Sequence, residues 1–174
     1  QILADALPPL VAGAERVVHL DFHTGMGKWG TYVLAVDFPN DSPRVARLRR
    51  EFGDKAVQGL DPNGVLYEIN GSNGGLGGWL QDQLRGIEYD CMLAEYGTHH
   101  VIEVLTAMRQ ENRAHQYASH GSAVHLEAKR RFKEAFVPES RDWQAASVRD
   151  GRKMVRQALA TLGAFFLAIW TKSG

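Results

Sequence analysis

The chain has one cysteine, Cys91, so no internal disulfide can form within it. Cys91 lies in an apolar run and reads as a buried thiol rather than a nucleophile. This cysteine usage suggests an intracellular, cytoplasmic setting. The chain also lacks a charge excess: 20 Lys and Arg balance 20 Asp and Glu, which favours neither nucleic acid nor an anionic membrane as partner. Long apolar runs are missing too. The longest, Ala158 to Trp170, is about 13 residues and is interrupted by Thr161 and Gly163, whereas a bilayer span takes about 20, so no membrane anchor is expected. The first residue is Gln1, with no initiator Met, basic segment or small-residue cleavage site behind it. We expect no signal peptide, and the start reads as a cut within a longer chain.

What is present describes an ordinary globular protein. With 174 residues, 44% of them hydrophobic and 23% charged, the chain predicts one domain over 1–174 with a core of its own. After a short helical stretch broken at Pro8-Pro9, Val17 to His23 alternates as a strand, with Val18, Leu20 and Phe22 on one face and His19, Asp21 and His23 on the other. Thr31 to Phe38 is a second β-like run, closed by the turn from Pro39 to Pro43. Val45 to Phe52 reads as an amphipathic helix whose Arg44, Arg47, Arg49 and Arg50 form a solvated face. Gly71 to Gly78 reads as a mobile loop, or less simply as a lid. Asp90 to Tyr96 is an apolar strand carrying Glu95 near its end. A helix from about His99 to Tyr117 follows, with Val101, Ile102, Leu105 and Met108 at core spacing. The final helix repeats Met154, Val155, Ala158, Leu159, Leu162, Phe165, Phe166 and Ile169 along a wide apolar stripe. Strands alternating with helices predict an α/β domain with a mixed, mostly parallel sheet flanked by helices.

The run from Gly25 to Gly30 matches the dinucleotide fingerprint letter for letter. A nucleotide site needs a helix to open after the last glycine, and Thr31 to Val36 is rich in β-formers instead. A phosphate loop fails because Phe22 stands where its first glycine belongs and Trp29 follows Lys28. The glycines therefore read as a tight connection between two strands. Strand residues four apart are separated by about 13 Å, so His19 and His23 cannot share a metal whose bonds are about 2 Å long. His23 alone is a candidate ligand, and Asp21 could support it or simply face solvent. His100 and Glu103 stand one helical turn apart and could bridge a metal, though a surface pair is the simpler reading. His115, His120 and His125 sit among polar residues and read as surface histidines.

The segment "VVHLDFHTGMGKWG", followed by Glu95 in "CMLAEYGTHH", resembles the zinc carboxypeptidase-like hydrolases, most nearly uncharacterised bacterial relatives of the succinylglutamate desuccinylases and aspartoacylases. The likeness rests on Asp-x-His-Thr-Gly and Glu-x-Gly-Thr at two strand ends, and on the segment from Asp142-Trp143 to Arg152. It implies a carboxypeptidase-like fold, a Zn2+ cofactor with His23 as one ligand, Asp21 behind that ligand, and Glu95 as the catalytic carboxylate. The implied activity is hydrolysis of an amide or peptide bond in a small peptide or acyl-amino acid. An N-acyl amino acid deacylase and a noncatalytic module that keeps the fold are the alternatives. In that family a His-x-x-Glu pair supplies the other ligands ahead of the strand-end histidine. Here none precedes His23, and the one such pair, His100 to Glu103, comes after Glu95. The chain is thus expected to be the C-terminal portion of its enzyme, with the remaining ligands on an N-terminal remainder.

Overall fold

A computed structural model of the chain describes residues 2–61 and 76–170. The elements in order are α1 (Ile2–Leu10), β1 (Arg16–Met26), β2 (Tyr32–Pro39), α2 (Pro43–Phe52), β3 (Val57–Leu60), α3 (Leu76–Gln83), β4 (Glu88–His99), α4 (Val101–Tyr117), α5 (Ala123–Phe136) and α6 (Arg141–Trp170). The fold is α/β, with a four-stranded mixed sheet in the order β1-β4-β2-β3. The chain divides into two compact units that alternate along it. The first comprises Gln1–Asp21, Val33–Ala94 and Lys153–Gly174; the second comprises Phe22–Tyr32 and Glu95–Arg152. Among the described residues, no helix is long and apolar enough to cross a membrane.

In the first unit, β2 and β3 pair in parallel with Leu34 opposite Val57 and Ala35 opposite Gln58. Parallel strands need a crossover, and α2 provides it. Ser42 caps this helix by accepting from the Val45 amide at 3.3 Å, and Pro43 stands in its first turn. Gly53 ends it at φ 112°, with its N–H donating to Arg49 O at 2.8 Å. Val45, Leu48 and Phe52 then fall on one buried face and join Leu34, Val36, Val57 and Met92 in the core. Of the arginines expected to form a solvated face on α2, Arg50 is exposed, but Arg44, Arg47 and Arg49 are half-buried. Arg44 and Arg47 bind Asp90, and Arg49 donates to Val57 O and to Asn40.

Those contacts belong to a buried ionic cluster. Asp90 is fully buried and takes Arg16 Nε at 3.1 Å, Arg44 Nε at 2.8 Å and Arg47 Nη2 at 3.0 Å. Glu51 holds Arg16 at 2.7 Å, and Glu88 holds Arg47 at 2.6 Å. Burial pulls the Arg16 pKa down, but the bonds to Glu51 and Asp90 outweigh it and leave it above its ordinary value. Three cations thus meet three carboxylates, which is how buried charge becomes tolerable.

The second unit packs two helices through small residues. Val104, Ala107 and Ala114 of α4 and Ala128 and Ala135 of α5 are buried. The larger Val101, Ile102, Leu105 and Met108, expected at the core, are exposed, Ile102 by 65%. Alanines on one face let two helix backbones approach closely, so that face was taken for the helix pair in preference to the bulkier stripe. Helix α5 was not anticipated; Ser122 caps it by accepting from His125 N at 3.3 Å. Strand β3 was also missed, as four residues carry too short a period to read. Proline neither breaks nor ends α1, since Pro8 and Pro9 lie inside its last turn. In the glycine-rich stretch, Gly77 and Gly78 belong to α3, and residues 71–75 lie outside the described residues. A Cβ at Gly77 would come within 2.8 Å of Cys91 Sγ, so this glycine serves close packing rather than mobility. On α6, Met154 and Ala158 are buried but Val155 and Leu159 are exposed, a narrower stripe than expected. The Phe165, Phe166 and Ile169 side chains lie outside the described set.

Candidate functional site

The structure brings His23 and Glu95 together in the second unit, in the C-terminal halves of β1 and β4. Period-two alternation puts Glu95, Gly97 and His99 on one face of β4. Glu95 is 8% exposed. Its Oε1 accepts the Met26 backbone N–H at 2.9 Å. Burial raises the Glu95 pKa above the usual carboxylate value, opposed by the Met26 N–H bond and by the charge of His23. His23 is exposed, so it can reach solvent and a ligand while acting electrically on Glu95.

The glycines of the connection serve this geometry. The segment from Gly27 to Thr31 crosses β4 at Gly97: Gly30 N donates to Gly97 O at 3.1 Å, and Gly97 N donates to Thr31 O at 2.9 Å. A Cβ at Gly97 would overlap the Lys28 carbonyl oxygen and come within 2.6 Å of Gly27 C. Gly27, at φ 118°, adopts a backbone that side chains rarely do. A strand, β2, follows Gly30 and no helix opens there, which leaves the glycines as the strand connection read from sequence.

Three further residues secure the end of β4, and none was given this task from sequence. Thr98 Oγ1 lies 2.7 Å from Gly25 O and 2.6 Å from Ala135 O, so its single proton ties β4 to one or the other. Trp143 Nε1 donates to Gly97 O at 2.8 Å, and Tyr96 OH donates to Asp150 Oδ2 at 2.6 Å. Burial first, and the bond to Asp150 second, hold the Tyr96 hydroxyl well above its ordinary pKa, so it remains a donor. The signal was present: Gly97 and Thr98 are the last two letters of Glu-x-Gly-Thr, one with a steric task and the other with a hydrogen-bonding one. Trp143 and Asp150 fall in the segment that carried the resemblance.

Asp21 belongs to the first unit. There its charge acts on Tyr89 and Cys91, raising both pKa values, although burial is the larger cause in each case. The Cys91 thiol is pushed up to about 12 and stays protonated at neutral pH. His19 Nδ1 shares a hydrogen bond with the Tyr89 hydroxyl and lies 3.5 Å from Cys91 Sγ. His100 caps α4 by accepting from Ile102 N at 3.4 Å, while Glu103 pairs with His99 at 3.4 Å. The pairing of His100 with Glu103 considered from sequence is therefore not formed, because capping directs His100 to the helix start. His115 and His120 are exposed as expected, but His125 is buried, its Nδ1 accepting from Gly121 N at 3.3 Å. Among the described residues, no three His, Cys, Asp or Glu side chains converge so as to hold a metal ion.

The chain is thus an α/β protein with a buried carboxylate and an accessible imidazole on neighbouring strands. The model of the family described as "Protein of unknown function (DUF2817)" matches residues 1–150, and the chain belongs to that family. No curated protein matches it. One solved structure, described as the crystal structure of the protein with unknown function from Thermoplasma acidophilum, matches at 13% identity and a TM-score of 0.35, over 87% of this chain. The chain spans 58% of the length of that protein.

Proposed function

We propose that the protein is a zinc-dependent hydrolase of the carboxypeptidase-like kind, cleaving an amide or peptide bond, with Glu95 as its proton carrier and His23 as one metal ligand. The observation that carries this reading is the Glu95 carboxyl: buried, anchored by the Met26 N–H, and raised in pKa beside His23. Burial that raises the pKa favours the protonated form of this carboxyl, which suits a general base that becomes a general acid. Among the described residues no three candidate ligands converge, so with His23 as one ligand the others would come from elsewhere in the protein, and the resemblance puts them ahead of His23. Zinc, when bound, supplies Lewis acidity at the scissile carbonyl and a water acidified to a pKa of about 7.

The chain's own residues do the rest. Glu95 accepts a proton from the attacking water, holds it as a carboxylic acid whose neutrality burial favours, and delivers it to the departing amine nitrogen. The Met26 N–H occupies Oε1, leaving Oε2 to exchange the proton. Gly97 lets the connection lie against β4, and Trp143 and Gly30 fix the Gly97 carbonyl, so the carboxylate keeps its place through the cycle. The substrates to try are small peptides and N-acyl amino acids, with amine release as the readout on the intact, zinc-loaded protein. Glu95→Gln keeps the acceptor for Met26 but cannot carry a proton. It should lower kcat by about 10² to 10⁴ with metal retained. A variant as active as the parent removes Glu95 from the chemistry, and no hydrolysis by the parent favours a noncatalytic module.

A further inference from the structure

The second unit carries another feature, independent of the hydrolase reading. A groove of about 510 Å³ runs between α4 and α5. In each helix its lining residues fall at i, i+3, i+4 and i+7, from Gln110 to Tyr117 and from Val124 to Arg131. The floor is alanine: Ala114, Ala118 and Ala128. Large apolar groups stand at the rim unburied, Tyr117 being 86% exposed and Val124 67%. Seven residues of helix rise about 10 Å, so the groove accepts two turns of a third helix, and its small floor residues let the incoming backbone come close. This is the pattern of helix-in-groove recognition.

Charge selects the occupant. Glu127 is the one acid lining the groove, and both its oxygens are taken, by Arg130 and by Arg131 at 2.7 Å. Arg113, on the opposite wall, has no carboxylate partner among the described residues. A second copy of the chain would bring this same basic lining against itself. We propose that the groove docks an amphipathic helix of a protein partner, apolar along one face and acidic along the flank that meets Arg113.

The test is fluorescence anisotropy of the full chain with a labelled synthetic helix of about 14 residues, carrying leucine at i, i+3, i+4 and i+7 and glutamate on its flanks. A second peptide replaces the glutamates with lysines. The glutamate peptide should bind saturably with Kd on the order of 10 μM, and the lysine peptide at least about 10-fold more weakly. Arg113→Glu, at an exposed position and with its fold checked by circular dichroism, should reverse that preference. Val124→Asp should abolish binding of the glutamate peptide. Equal affinity for both peptides, or no effect of Arg113→Glu, overturns the proposal. So does concentration-dependent dimerisation by light scattering that Val124→Asp removes while neither peptide binds, which assigns the groove to a second copy.

Discussion

Replacing Gly97 by alanine adds one methyl group at the point where the connection from Gly27 to Thr31 crosses β4. That methyl would stand 2.6 Å from both Gly27 C and Lys28 C, besides overlapping the Lys28 carbonyl oxygen. Carbon atoms rest at about 3.5 to 4.0 Å, so the backbone must retreat by about 1 Å. The obstructing atoms are main chain, with no rotamer to yield, and Gly30 and Thr31 are bonded to Gly97 on both sides of the crossing. Overpacking of this kind costs about 1 to 3 kcal/mol, which for a chain of this size lowers Tm by roughly 2 to 12 °C. The functional effect should exceed the thermal one. Met26 lies just before the displaced segment and its N–H fixes Glu95 Oε1 at 2.9 Å. Losing that bond removes the main influence that lowers the Glu95 pKa, and a 1 Å displacement of a reacting group costs about 10²-fold in rate. Calorimetry and amine release from a zinc-loaded sample would report the two effects separately. An alanine variant with parental Tm and parental kcat would refute the argument that Gly97 is required by the crossing.

Two further predictions concern the first unit and the titration of the site. Asp90→Ala leaves Arg16, Arg44 and Arg47 around a missing carboxylate, so urea unfolding should show a loss of about 3 to 5 kcal/mol; a loss below about 0.5 kcal/mol would mean the cluster is dispensable. For Glu95, burial raises the folded pKa above the unfolded value. Its contribution to stability is therefore fully present below the unfolded pKa of about 4.3 and is lost as pH rises through the folded pKa. Glu95→Gln escapes that loss, so its stability relative to the parent should improve between pH 4 and pH 8 in paired urea melts. A difference independent of pH would show that the carboxyl titrates alike folded and unfolded.

Much of the fold was legible because its signals are local. Alternation marked β1, the Ser42-Pro43 start and the arginine-rich periodicity marked α2, and β-formers after Gly30 excluded a nucleotide loop. What sequence did not reveal depended on partners distant in the chain. Arg44 and Arg47 looked solvated because Asp90 lies more than forty positions away. In α4 the bulky stripe outweighed the alanines by hydrophobicity, yet packing against α5 rewarded small size. His125 looked like a surface residue because its neighbours are polar, and its burial follows from an unanticipated helix. The candidate residues His23 and Glu95 were singled out through the resemblance, with their places near predicted strand ends in support. The Met26 N–H that anchors Glu95 has no side-chain signature, and the tasks of Thr98 and Trp143 appear only once three elements converge.

In the proposed hydrolase, His23 holds a metal beside Glu95. Elemental analysis of the intact protein, purified with and without His23→Ala, tests it most directly. The parent should carry about one zinc per chain and the variant should lose most of it, since a three-ligand site reduced to two binds poorly. A parent without zinc, or a His23→Ala variant that retains the parental amount, would contradict it.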